Sequence, residues 1–314
     1  RVSDIGAEQT AEPLELTSFA EHTRAFLQAQ NGCDSFCAYC IVPFARGRSR
    51  SVPLDDVLKG VRDLAANGYR EVVLTGIHLG AYGLDFSPRQ SLTGLTRRIV
   101  EERLVQRLRI GSVEPNELSD ELLELMSASD IICPHVHLPL QSGSDTVLHR
   151  MGRRYSARFF RDLTARISAA LPDAFIGADI IAGFPGETEE EFRETLRMVE
   201  ELPFSDLHVF PFSRRAGTRA AGMPGQVPAV VIKERGDRLR AVAALKKSAF
   251  LQCFCGRVLP VLGQGRDPES GLVRGLSRNY IQVEYPASEE MVNREAAVRV
   301  ERVHGGRVLG MMTE

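Results

Sequence analysis

The 314-residue chain is 43% apolar and 25% charged, with a formal net charge of −2. This composition is ordinary for a soluble globular protein and gives no global charge from which nucleic-acid binding could be argued. No run of about 18 apolar residues suggests a membrane helix, and no basic, apolar and small-residue leader opens the chain. The length suggests one large domain and a small one. Six cysteines, three of them bunched, read as metal binding rather than a disulfide framework.

The first 20 or so residues are polar and weakly patterned, and a linker is expected over residues 1–20. A strand expected at Thr23–Ala29 opens onto NGCDSFCAYC, which places Cys33, Cys37 and Cys40 in a C-x3-C-x2-C run. A tetrahedral zinc site would want a fourth ligand. A four-iron cluster held by three thiolates keeps one iron open to substrate. A zinc knuckle, or three ordinary buried cysteines, also fits the spacing. Tyr39 sets an aromatic face beside the last cysteine, and Arg46, Arg48 and Arg50 follow.

Pro53–Ala66 repeats Leu54, Val57, Leu58, Val61 and Leu64 at helical spacing, with Pro53 suited to a first turn and Gly68 to a C-terminal cap. The second strand, Glu71–Thr75, ends in TGIHLGAYG. Gly76 beside Thr75 admits close backbone approach by a ligand, or makes a plain turn. His78 fits a ligand or base, but a surface histidine is the expectation. The third strand, Arg107–Ser112, ends in GSVEPNE. Ser112 and Glu114 lie two apart and share a face, as binding groups or as a helix-cap cluster.

The fourth strand, His135–Leu140, ends in LQSGSD, where Gln141 and Ser142 are neutral hydrogen-bonders. His135 and His137 share a face, but no third ligand is in register, so metal is discounted there. Arg150, Arg153 and Arg154 follow. The fifth strand, Phe175–Ile181, places Asp179 and Gly183 near its end, and Thr188–Glu191 has capping-box spacing. The sixth, Leu207–Phe212, runs into Ser213, Arg214, Arg215, Thr218 and Arg219. Three arginine groups at strand ends would make a positive rim suited to phosphates, or simply solvated surface charge.

Six βα units imply a parallel sheet with helices outside. An open doubly wound sheet and a partial barrel both fit. The motifs fall at the C-terminal ends of strands, which favours the barrel, and no G-x-G-x-x-G follows the first strand. An incomplete barrel also leaves a side opening for a macromolecule. A long charged helix is expected over Val227–Gln252. From Cys253 onward, short strands between Gly and Pro turns predict a small all-β barrel.

The cysteine run resembles that of the radical S-adenosylmethionine enzymes. With SVEP, HLPLQSGSD, DIIAGFPGET and FSRRAGT in this order, the chain from about Glu21 resembles the methylthiotransferases of that superfamily. RGLSRNYIQVEY is similar to part of the TRAM domain that ends them and binds RNA. TGIHLGAYG and HVFPFSRRAGT look most like the branch acting on N6-threonylcarbamoyladenosine beside the tRNA anticodon. The isopentenyladenosine branch usually has a Gln-Asn run after the second strand. The branch acting on a ribosomal-protein aspartate differs there and around FSRRAGT.

The resemblance implies an α/β fold: a partial (β/α)6 TIM-like barrel over residues 21–226, a connecting helix over 227–252 and a TRAM-like RNA-binding domain over 253–314. It implies a 4Fe-4S cluster on Cys33, Cys37 and Cys40, its open iron chelated by S-adenosylmethionine. Tyr39, Thr75, Gly76, Ser112, Glu114, Gln141, Ser142, Asp179 and Ile181 would bind that cofactor, with backbone at Ile181 pairing the adenine edge. Arg46, Arg48, Arg153, Arg154, Ser213, Arg215, Thr218, Arg278 and Tyr280 would contact the tRNA anticodon stem-loop. Cluster reduction, by a donor such as flavodoxin or ferredoxin, would split the cofactor to a 5′-deoxyadenosyl radical that takes hydrogen from adenine C2. A methylated sulfur on a second 4Fe-4S cluster would then be installed, a second S-adenosylmethionine supplying the methyl group.

That second cluster is expected only in the full-length protein, on an N-terminal domain not found in this sequence. Cys133, Cys253 and Cys255 do not match its ligands and read as structural. The chain is therefore expected to bind S-adenosylmethionine but not to complete sulfur insertion alone. Residues 253–314 carry eight Arg, no Lys and eight Asp plus Glu, so RNA binding would need segregated charge. An oxygen-sensitive cluster fits the cytoplasm, with no membrane partner. The alternatives are a methylthiotransferase for isopentenyladenosine or a ribosomal protein, and a catalytically incomplete RNA-binding module.

Overall fold

The computed structural model describes residues 23–313; the linker expected over residues 1–20 lies outside the described residues. In chain order come β1 (Arg24–Asn31), α1 (Val42–Arg46), β2 (Arg50–Ser51), α2 (Leu54–Ala66), β3 (Glu71–Gly76), α3 (Leu92–Glu101) and β4 (Arg107–Ile110). Then follow α4 (Asp120–Ala128), β5 (His135–Gln141), α5 (Asp145–Met151), α6 (Ala157–Ala170), β6 (Phe175–Ala182), α7 (Glu189–Glu201) and β7 (Asp206–Pro211). Strands β1, β3 and β4 pair in parallel, as do β5, β6 and β7. A single parallel bridge, Leu108 to Ile132, joins the two sheets. The six-stranded half-barrel expected from the βα alternation is what forms, with β2 added antiparallel to β1.

Helix packing follows the apolar stripes. In α2, Val57, Leu58, Val61 and Leu64 are buried against the sheet, while Asp55 and Asp56 favour its positive N-terminal end. Pro53 is the N-cap residue rather than the first helical one. Gly68 follows the C-cap at φ +91°, a conformation costly for any residue with a Cβ. The capping box at α7 is complete: Thr188 accepts from the Glu191 N–H, and Glu191 accepts from the Thr188 N–H.

Helix α8 (Ala229–Gln252) leads to β8 (Val258–Arg266), β9 (Leu272–Ser277), β10 (Gln282–Pro286), β11 (Glu295–His304) and β12 (Arg307–Met312). These close into a five-stranded barrel in the order β10-β12-β11-β8-β9, with its own core around Val261, Val273, Val283, Tyr285, Val298 and Val300. Among the described residues, no helix is long and apolar enough to cross a membrane.

The small barrel closes the floor of the half-barrel through charge. Glu71 is fully buried and takes both Arg107 and Arg109, at 2.8 and 2.9 Å. Arg107 reaches on to Glu295 and the Leu276 carbonyl, each at 3.0 Å, and Arg109 to the Arg278 carbonyl at 3.0 Å. Burial would raise the Glu71 pKa, but Arg109, Arg107 and Arg24 outweigh it and hold the carboxyl below its ordinary value.

Two expected RNA contacts belong to this seam. Arg278 is bidentate to Glu295, at 2.9 and 2.8 Å, and also bonds the Asp130 carbonyl. Tyr280 lies under the Arg109 guanidinium, 5.0 Å away, and against His135 at 4.5 Å. Both reach inward because the β9–β10 turn abuts the lumen, and Tyr280 adopts φ +67° to do so.

Removing one partner of a buried ion pair strands the other charge, at a cost of about 3–5 kcal/mol. Glu71→Ala is expected to lower stability by about that amount in urea unfolding, whereas Arg103→Ala, at an exposed pair with Asp130, should leave the midpoint nearly unchanged. The Glu71 contribution is present above the unfolded carboxylate pKa and is lost as pH falls through its lower folded value. Acid destabilisation should thus be shallower in the Glu71 variant. Equal urea midpoints for the two variants would rule out the network as the tie between units.

Candidate active site

The cysteine loop leaves the C-terminal end of β1 and is shaped by groups that have no redox chemistry of their own. Gly32 sits at φ +73°, and a Cβ there would lie 1.8 Å from the Arg48 carbonyl oxygen. The buried Gln30 amide donates to the Asn31 and Gly32 carbonyls, each at 2.8 Å, and to Ser49 Oγ at 2.9 Å. Its carbonyl oxygen accepts from the His78 N–H at 2.7 Å. Ala38 pins the middle of the loop: its N–H donates to the Met151 carbonyl at 2.8 Å, and its carbonyl accepts from the Ala220 N–H at 2.7 Å. Cys33, Cys37 and Cys40 are thereby presented half-buried and unbridged.

Each thiol has a distinct setting. Cys33 Sγ lies 3.5 Å from His78 Nδ1 and accepts from the Ser35 N–H at 3.4 Å. Burial raises the Cys33 pKa, but these hydrogen bonds outweigh it and leave the thiol below its ordinary value. Burial keeps the Cys40 thiol above its ordinary value. Arg153 approaches Cys37 Sγ at 3.3 Å and Tyr39 Oη at 3.5 Å while pairing with Glu114. Hydrogen bonds to thiolate sulfur are among the groups that tune an iron–sulfur centre.

His78 is not the surface residue expected. Its Nε2 is 2.7 Å from Glu117, and its ring is largely enclosed. Burial lowers its pKa, but Cys33 and Glu117 outweigh this and raise it to about 10. Nothing in TGIHLGAYG alone reveals this role, because Cys33 and Glu117 reach His78 from other units.

Beside the loop, Tyr39, Gln141, Asp179, Ile181, Phe212 and Ser213 help line a cavity of about 300 Å³. Gln141 adopts φ +65°, a strained backbone that holds its buried side chain at the strand end. Below, a larger cavity of about 750 Å³ fills the half-barrel, with Thr75, Gly76, Ser112 and Asp179 on its wall. Ser112 Oγ is 2.8 Å from His137 Nδ1. Thr75 donates its hydroxyl to the Leu27 carbonyl at 3.2 Å.

Other expected contacts are differently employed. Ser142 is fully buried, 3.1 Å from the Thr195 hydroxyl, and accepts from the Ser144 N–H, so it latches a loop and presents nothing to a cofactor. Arg153 lies in the floor of the cysteine loop, not on the rim. Thr218 is buried with its hydroxyl on the Arg215 carbonyl at 2.7 Å, closing a turn. Arg150 is bidentate to Glu191, and Arg50 is buried, donating to the Arg46 carbonyl. The exposed positive rim is carried by Arg46, Arg48, Arg154, Arg214, Arg215 and Arg219, with Ser213 exposed among them.

Cys133 is a buried core residue, as read; Cys253 and Cys255 are exposed beyond α8 and pack no core. The dismissal of a third ligand near His137 also needs correction. Asp179 from β6 and His208 from β7 stand beside it, Asp179 Oδ1 lying 3.3 Å from His137 and 3.2 Å from His208. A search for ligands on one strand misses a set built across three.

The model of the radical SAM superfamily matches residues 27–199. The threonylcarbamoyladenosine tRNA methylthiotransferase MtaB of Bacillus subtilis is 39% identical over 302 residues, covering 95% of this chain and 67% of that protein. A tRNA-2-methylthio-N(6)-dimethylallyladenosine synthase of Acetivibrio thermocellus is 36% identical, covering 89% of this chain and 58% of that protein. The MtaB of Rickettsia prowazekii is 40% identical over 83% of this chain and 62% of its own length. The chain thus spans roughly three fifths to two thirds of these relatives. Among solved structures, the fold is shared with the E. coli coproporphyrinogen III oxidase HemN, at TM-score 0.53, 15% identity, 73% of this chain and 54% of that one. It is also shared with the methyltransferase TsrM of Kitasatospora setae, at TM-score 0.53, 21% identity, 62% of this chain and 38% of that one. The chain therefore belongs to the radical S-adenosylmethionine superfamily and, within it, to the tRNA methylthiotransferases.

Proposed function

We propose that this chain is the radical-forming part of an enzyme that adds a methylthio group to threonylcarbamoyladenosine next to a tRNA anticodon. The observation that carries the reading is the cysteine loop, three thiols at the open end of a half-barrel lumen, with His78 against Cys33 and Arg153 against Cys37. The residues fit an iron–sulfur cluster better than a single ion. One zinc holds three sulfurs about 3.8 Å apart, from bonds of about 2.3 Å. The cysteines are not among the described groups whose ligand atoms approach within 4.8 Å.

Cys33, Cys37 and Cys40 would hold a 4Fe-4S cluster with one iron free for S-adenosylmethionine, and the pair supplies a carbon-centred radical when reduced. His78 and Arg153 donate toward the ligand sulfurs and offset their negative charge. Tyr39, Gln141 and Ile181 bound the neighbouring cavity, which would take the adenosyl end. Thr75, Gly76 and Ser112 lie toward the lumen, where the amino-acid end and the target base would meet, and Glu114 stays paired with Arg153 beside the cysteine loop. The exposed arginines would meet RNA phosphates, and residues 253–314 would form the TRAM-like unit behind the half-barrel.

Arg24, His137, His208 and Lys247 on the lumen wall favour threonylcarbamoyladenosine, whose side chain ends in a carboxylate. Phe26 and Phe210 on the same wall favour the second reading, an apolar dimethylallyl group. Nucleoside analysis of tRNA from cells lacking and regaining the full-length protein separates them. Loss and return of the methylthiolated threonylcarbamoyl nucleoside is expected, and a change only in the dimethylallyl nucleoside would transfer the assignment.

Anaerobic reconstitution should give about four irons per chain, with an electron paramagnetic resonance spectrum altered by S-adenosylmethionine. Gly32→Ala, which drives a Cβ into the Arg48 carbonyl, should lose most of that iron while the rest of the chain stays folded. Full iron content in that variant would show that the loop tolerates another path.

Cys33 should be alkylated faster than Cys40 in the apo chain at pH 7.5. His78→Gln should slow Cys33, because it removes a hydrogen bond that favours the thiolate. Because the His78 pKa is raised, its contribution to stability is complete below its unfolded value and lost as pH rises through about 10. The wild-type melting temperature should therefore fall more steeply toward pH 10 than that of His78→Gln. Parallel profiles would refute the ion pair.

A further inference from the structure

We propose that His137, Asp179 and His208 form a second metal site, for a single divalent transition ion of the zinc type, on the wall of the lumen. The three residues project inward from adjacent parallel strands β5, β6 and β7, with Asp179 and His208 in register as partners. Their ligand atoms all lie within 4.8 Å of one another. Bonds of about 2.0–2.1 Å in a tetrahedron place ligand atoms about 3.3 Å apart. The observed separations of 3.3 Å from Asp179 to His137 and 3.2 Å to His208 already match two edges. The third closes by rotation of the His208 ring, which is exposed and free of core packing.

Two independent features point the same way. His137 Nε2 is buried and, although 3.3 Å from Asp179 Oδ1, makes no aligned hydrogen bond. Its Nδ1, on the far side of the ring, is held by Ser112 Oγ at 2.8 Å. A ligating imidazole typically offers one nitrogen to the metal and anchors the other through a hydrogen bond. Two imidazoles and one carboxylate form a borderline donor set that suits zinc or ferrous iron, not magnesium or calcium. Three protein ligands leave a coordination position open, as in catalytic rather than structural sites. It faces a cavity of about 750 Å³, where it would take water or an anionic oxygen, a carboxylate included.

The site shares no residue with the cysteine loop, so it stands or falls separately from the cluster. The test is zinc titration of the full chain, after its cluster is reconstituted anaerobically, against a competing chelator and with zinc K-edge absorption of the product. One equivalent is expected, with only nitrogen and oxygen at about 2.0–2.1 Å. The same equivalent should persist in the Cys33→Ala/Cys37→Ala/Cys40→Ala variant. His208→Ala and Asp179→Asn should each weaken zinc by at least about 100-fold, while His304→Ala on the small barrel changes nothing. His208 is exposed, so a matching urea midpoint will show that its variant folds. No zinc retained, a shell containing sulfur at about 2.3 Å, or unchanged affinity in His208→Ala would each overturn the site and leave a hydrogen-bonded His–Asp–His row.

Discussion

Glu71 is a fully buried carboxylate, and the rest of the molecule is arranged to keep it charged. Taking a carboxylate and a guanidinium out of water costs several kcal/mol per ion, and burial here is complete. The compensation comes from geometry: Arg107 and Arg109 lie on the same inward face of β4 and close on Glu71 from the next strand. Their remaining donors are satisfied by carbonyls of the small barrel. The charged floor of the half-barrel is complete only when both units are in place. A salt bridge inside one unit thus becomes the tie between two.

A closed floor has consequences above it. The lumen opens toward the cysteine loop, and its contents change with height. Aromatic surfaces, Phe175 and Tyr280 among them, lie low beside His135, whose pKa burial and Arg109 push well below its ordinary value. The hydrogen-bonding residues Ser112, His137, Asp179 and His208 come next. The thiols stand above. A group entering from the loop side meets the thiols and the polar ring before the aromatic floor.

The fold was legible because its signals are local and periodic. The α2 stripe, the Thr188 box and the strand-end motifs each declare themselves within a few residues, and alternation of strand and helix did the rest. The cysteine loop was legible for the same reason. What was not legible depends on where a strand's neighbours point. Arg153, read as one of three rim arginines, turns inward because Glu114 and Cys37 await it there. Arg278 reads as an RNA contact, and Tyr280 as an RNA contact or a strand core residue, until the small barrel is seated under the half-barrel. His78 looks like a turn histidine until β1 and the β4 loop bring Cys33 and Glu117 to it.

The same limit explains the lumen. In a parallel barrel, inward residues two apart on one strand are farther from each other than from the inward residues of the next strand, since strands lie about 4.8 Å apart and alternate residues about 6.6 Å apart. Polar sites therefore assemble across strands and around the ring. His135 and His137 share a strand and diverge: one stacks on Phe175, the other turns to Asp179. Reading along the chain finds the first pair, which is chemically idle. Reading around the barrel finds His137, Asp179 and His208, because sheet register rather than sequence spacing sets which side chains meet.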